Sequence, residues 1–86
     1  MATDSGTGSR SWSIHNPADL GRAIAGVRAE RGLTQEVLAK AIAVERGYLA
    51  RLEAGASQLV LERSIRALRR MGATITVSLP PDDGQA

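Results

Sequence analysis

The chain contains no cysteine. That excludes a disulfide framework, a thiolate zinc site and thiol chemistry, and it fits a reducing compartment. There is no phenylalanine, with a single tryptophan and a single tyrosine. A core must therefore come from Leu, Ile, Val and Ala. Alanine lets helices approach closely, but each contact buries little area. No apolar run nears the roughly 20 residues that span a bilayer, and no basic-then-apolar leader opens the chain. The one histidine, His15, stands without a metal-ligand spacing. A Gly-rich phosphate loop and an evident carboxylate pair are also missing. Nothing supports catalysis, and no enzyme activity, cofactor or metal is expected.

What is present bounds the rest. Eighty-six residues make one domain at most. A domain of this size buries only about 60% of its unfolded surface and is marginal alone, so added stability from oligomerisation is expected. Net charge is +2, but its distribution is uneven. Between Arg10 and Leu79 there are 11 basic and 6 acidic residues, and all but one of the basic residues are Arg. Arginine offers a planar fork of donors suited to phosphates and base edges. The same numbers also describe an ordinary solvated surface.

Residues 1–10 are rich in Gly, Ser and Thr, and residues 80–86 read "PPDDGQA". Both ends read as disordered tails around a domain at 11–79. "SWSI" (11–14) alternates, as a brief strand or as a staple onto the first helix. Asn16 is a good N-cap, Pro17 a good first helical residue and Asp19 favours the helix dipole. Leu20, Ala23, Ile24, Val27 and Arg31 mark one face of a helix over 17–31, which Gly32 ends. Thr34 caps a second helix with Val37, Leu38 and Ala41 inward and Gln35 and Lys40 outward. After Ile42–Val44 a third helix starts near Glu45 and ends at Gly55. Leu49 and Leu52 mark its buried face, with Arg46, Gly47, Ala50 and Arg51 opposite. "VLERSIRALRRMG" is a fourth helix, burying Leu61, Ile65 and Leu68 and exposing Arg63, Arg66, Arg69 and Arg70.

"ATITVSL" then changes period. Ile75, Val77 and Leu79 alternate with Thr74, Thr76 and Ser78, as in a strand. A lone strand is unstable in water, and the chain offers only the short "SWSI" piece as a partner. The simplest supply is the same strand from a second copy about a twofold axis. A homodimer follows, with Trp12 as a packing anchor at its interface. The alternative is a strand packed on its own helices.

Two helices joined by a short turn, the second with a small and basic outer face, form the helix-turn-helix pattern. The second helix must enter a DNA major groove, so its outer face must be small and carry donors in its first half. Arg46, Gly47 and Ala50 meet that need, and Arg51 lies one turn on. Arg donates a bidentate pair to guanine. The start of helix two, at Thr34 and Gln35, points amide donors outward toward phosphate.

"GLTQEVLAKAIAVERGYLARLEAG" resembles the repressor-type helix-turn-helix of the Cro/repressor or XRE family over about residues 17–72. The resemblance implies Gln35 at a phosphate, Arg46, Gly47 and Arg51 facing bases, and Tyr48 and Ser57 on the DNA backbone. It implies a partly buried salt bridge between Arg28 and Glu53. Two positions depart from the pattern. Ala43 stands where the turn usually has Gly, and Glu45 where the recognition helix usually has a Ser or Thr cap. Alanine at a left-handed turn costs about 1 kcal/mol, so a differently wound turn is expected. Glu45 favours the helix dipole but repels nearby phosphate.

"SIHNPADLGRAI" and "LRRMGATITVSL" are similar to HipB-type antitoxins. The fold so implied is mainly α: a four- to five-helix repressor-type domain with a C-terminal strand pairing across a homodimer. The function so implied is a repressor of its own operon, binding a palindromic operator and a HipA-type Ser/Thr kinase toxin. It would be cytoplasmic, and nucleoid-associated on DNA. Two other readings stand beside it: a free-standing regulator without a toxin, and a protein-interaction module that has lost DNA binding.

Overall fold

The computed structural model describes residues 10–56 and 58–81. Four helices lie between two short strands: β1 (Arg10–Ile14), α1 (Pro17–Glu30), α2 (Gln35–Ala41), α3 (Arg46–Glu53), α4 (Leu59–Arg70) and β2 (Ile75–Leu79). The helices begin as their capping residues require. Asn16 is extended, and its side chain accepts from the Asp19 N–H at 2.8 Å. The Asp19 carboxylate accepts in return from the His15 N–H at 2.8 Å. This reciprocal pair satisfies two otherwise orphaned donors at the start of α1. That His15 bond is the main cause holding the Asp19 carboxyl below its ordinary range. Thr34 accepts from the Val37 N–H at 3.0 Å and starts α2.

All four helices end alike. The N–H two residues past the cap reaches back five residues: Leu33 to Arg28, Val44 to Ala39, Ala56 to Arg51 and Ala73 to Leu68, at 2.9–3.0 Å. This Schellman closure needs a left-handed residue just before the donor. Gly32, Gly55 and Gly72 supply it at three ends, and Ala43, with φ of 60°, at the fourth. The expectation of a differently wound turn is therefore corrected. Ala43 keeps the glycine geometry and bears the left-handed cost.

The β2 strand finds its partner within the chain. It runs antiparallel to β1, with Arg10 opposite Leu79, Trp12 opposite Val77 and Ile14 opposite Ile75. The argument that β2 must borrow a strand from a second copy is thus corrected. Ile75 and Val77 pack against the cluster of Ile14, Ala23 and Ile65, with Trp12, Leu20 and Leu61 around it. Trp12 is an anchor inside the chain. A Cβ at Gly26 would lie 2.5 Å from its ring, so Gly26 is the notch in α1 that admits the indole. The Arg10 guanidinium sits 5.3 Å from the ring centroid, within cation–π range. Arg10, read as tail, is the first residue of β1. Pro80, also read as tail, accepts from Arg31 Nη2 at 3.0 Å. Residues 1–9 and 82–86, the remainder of both expected tails, lie outside the described residues.

Three further expectations need correction. Val37 and Ala41 are exposed, and the face that α2 buries is Gln35, Leu38 and Ala39. A helix of two turns has too few apolar positions for its period to set its rotation. Leu68 is 41% exposed, because the core ends at Leu61 and Ile65 and does not reach the last turns of α4.

Replacing Ala43 by Gly is expected to stabilise the fold by about 1 kcal/mol, by removing the left-handed penalty of a Cβ. Urea unfolding monitored by circular dichroism measures this. An unchanged midpoint would mean that the turn carries no such penalty.

Candidate nucleic-acid interface

The α3 helix is held from below by Leu49, which is 1% exposed. It is brought close to α1 at a glycine. A Cβ on Gly21 would overlap the carbonyl oxygens of Leu52 and Glu53, so no larger residue permits this approach. One side of α3 is thereby buried, and Arg46, Gly47 and Arg51 stand exposed on the other. Ala50, expected on that outer face, is half-buried at its margin.

Gly47 differs from Gly21. It lies within the helix, and a Cβ there would meet only Arg51 Nη1, at 3.6 Å, an ordinary contact. The fold does not require glycine at 47. Its effect is at the surface, where it leaves the helix bare between two arginines.

Arg46 shares a shallow groove of about 420 Å³ with Thr34, Gln35, Glu36 and Leu33 at the start of α2. The structure thus brings together one residue expected at bases and two expected at phosphate. A second groove joins Arg46 to Lys40, Glu36 and Glu45. Glu45 is the N-cap of α3 and makes no side-chain cap bond. Glu36 lines both grooves and Glu45 only the second, so a phosphate beside Thr34 meets one carboxylate fewer. At the other end of α3, Tyr48 is 38% exposed and accepts from Gln58 Nε2 at 3.3 Å. Ser57, expected at the DNA backbone, lies outside the described residues. Ile75, Val77 and Leu79 stand apart from this surface, on β2.

Arg28, Gln35 and Glu53 form one network. Arg28 Nε donates to Glu53 Oε2 at 2.7 Å and Arg28 Nη2 to Oε1 at 2.9 Å, a bidentate pair. Gln35 Nε2 donates to the same Oε1 at 2.9 Å, and Arg28 Nη1 donates to the Leu33 carbonyl at 2.8 Å. The Glu53 side chain is 6% exposed and that of Arg28 20%. The hydrogen bonds from Arg28, against the opposing effect of burial, hold the Glu53 carboxyl below its ordinary value of 4.5 and push the Arg28 guanidinium up. Sequence reasoning placed Gln35 outward and missed that its side chain belongs to this network.

A family model described as a helix-turn-helix domain matches residues 19–78. No curated protein and no solved structure matches the chain.

Truncating Arg28 to Ala strands the Glu53 carboxylate. The expected outcome is a lower urea midpoint, because the nearly enclosed carboxylate loses both of its bidentate bonds. A depressed carboxyl pKa contributes stability above its ordinary value and loses it as pH falls through the folded value. Stability should therefore drop on acidification below about 4.5. In a pH series of urea melts Glu53→Gln should flatten that limb, and an unchanged acid limb would remove Glu53 as its source.

Proposed function

The chain belongs to the helix-turn-helix domain family, and on that premise we propose that it is a sequence-specific DNA-binding transcriptional regulator whose α3 reads the major groove. The observation that carries this reading is the exposed strip of Arg46, Gly47 and Arg51 beside the start of α2. A B-DNA major groove is about 12 Å wide and admits a single helix whose leading face is small. Gly47 is the smallest such face, and the flanking guanidinium groups suit guanine O6 and N7. The hydroxyl of Thr34, whose oxygen already accepts the cap bond, donates to a phosphate. Gln35 does so through its backbone N–H, since its side chain is engaged with Glu53. The hydroxyl of Tyr48 and Ser57 are assigned to the DNA backbone on the resemblance.

The finer reading is a cytoplasmic repressor acting as a homodimer on a palindromic operator, and as the antitoxin of a HipA-type kinase. It rests on the resemblance of the segments before and after the helix-turn-helix. The dimer belongs to it on those grounds, and not on an unpaired β2. A kinase-like reading frame beside this one, whose product co-purifies with the chain, supports the antitoxin. A neighbour of another kind leaves a free-standing regulator.

Arg46→Ala should weaken binding to the cognate site by roughly 1–3 kcal/mol and relax base preference at one position. Competition binding against random DNA decides this, since equal loss on both would make Arg46 a phosphate contact. A chain that shows no salt-dependent DNA binding at all would instead be an interaction module.

A further inference from the structure

Glu45, at the leading end of α3, is a carboxylate that the fold barely uses. Asp19, Glu30 and Glu53 are each held by an arginine. Glu45 is exposed, makes no cap bond and pairs with no cation among the described residues. A Ser, Thr, Asp or Asn in its place would accept an N–H of the first turn. Glu45 contributes only its charge, near the positive end of the helix. On a face turned to DNA that charge is repelled by every phosphate. It suits such a face only where it meets a donor.

We propose that Glu45 determines base specificity, by reading a cytosine in the pair next to the one read by Arg46. This rests on the reading of α3 as the helix that enters the major groove. The first residues of such a helix contact base edges, and Glu45 is the N-cap of α3 and Arg46 its first residue. An ionised carboxylate can only accept. In the major groove guanine offers two acceptors, thymine an acceptor and a methyl group, and adenine a donor beside an acceptor. Cytosine offers a donor, its N4 amino group, with no acceptor on the same base. One carboxylate therefore attracts cytosine and is repelled by the acceptors of the other three bases.

Arg46 is the converse, a donor-only fork that fits the two acceptors of guanine. Consecutive Cα atoms are about 3.8 Å apart, and successive bases rise by about 3.4 Å. An acceptor followed by a donor along the chain thus matches a cytosine and a guanine in adjacent pairs. Glu45 and Arg46 both line the second groove, with Lys40 and Glu36 as its other charged members. Neither Lys40 nor Arg46 forms an ion pair with Glu45, so its carboxylate is left open to an outside donor. On random DNA the carboxylate is a net repulsion, and only the matched cytosine offsets it. Removing it should therefore separate affinity from specificity.

The test is competition binding, at one salt concentration, to a duplex site that the parent chain selects from a random pool. Arg46→Ala marks the guanine pair by relaxing it. Glu45→Ala should relax cytosine preference at one neighbouring pair. It should bind random DNA several-fold tighter and the selected site no tighter, so that the ratio falls about tenfold. Replacing that cytosine by thymine, with its partner, should cost the parent about tenfold and the Glu45→Ala chain little. Glu45→Gln should move the preference there to adenine, whose N6 and N7 an amide matches. Both variants should melt near the parent, since Glu45 makes no bond in the fold. If Glu45→Ala tightens selected and random DNA alike, the carboxylate only repels phosphate and the proposal falls. If it relaxes only the pair marked by Arg46→Ala, Glu45 acts through Arg46 and the proposal falls. Both results leave α3 as the reading helix. A parent chain that selects no sequence overturns the proposed function and this inference together.

Discussion

Glu53 is where three helices are fastened. Its carboxylate is almost enclosed, and an enclosed carboxylate costs several kcal/mol unless donors replace its water. Arg28 of α1 and Gln35 of α2 are those donors, and they arrive from different directions. The cost of leaving either bond unmade fixes how α2 and α3 stand on α1. Arg28 also holds the Leu33 carbonyl, so the turn that leads into α2 is set by the same guanidinium. Shifting α3 by a fraction of a turn would disturb all three bonds to Glu53 at once. The α3 helix, proposed to meet DNA, therefore owes its angle to a charge network on its hidden side, aided by the close approach at Gly21.

Helices were legible because their punctuation was strong. Asn16–Pro17, Thr34 and the glycines at 32, 55 and 72 mark starts and stops by known backbone chemistry. The face of α3 was legible too, since Leu49 and Leu52 leave only one side for Arg46, Gly47 and Arg51. Rotation of α2 was not, because seven residues give the period too little to act on. The partner of β2 was not either. Alternation identifies a strand but carries no address, and β1 lies more than 60 residues away with only Trp12 and Ile14 as apolar signal. Gly21 and Gly26 did leave a trace. Glycine in a helix interior is costly, and its presence signals something pressed against the backbone. What presses, a carbonyl at one and an indole at the other, is visible only in three dimensions.

The pairing of β1 with β2 also changes how the small size of the domain is managed. It brings the two ends of the folded region side by side, with Arg10 opposite Leu79. It closes the core cluster with Ile14, Ile75 and Val77. The aromatic shortage is met in the same place, because the single tryptophan is seated in the notch that Gly26 leaves in α1.

Gly47 carries a consequence for how such a regulator diversifies. The backbone does not need glycine there, and a new side chain would encounter only the far end of Arg51. Most replacements would in fact strengthen the helix, by up to about 1 kcal/mol. If α3 reads DNA as proposed, a change of residue at 47 alters the reading face while the scaffold becomes more robust. Most innovations in binding specificity are constrained by the stability they consume. Under the proposed function, position 47 is free of that constraint, because the fold does not require its glycine.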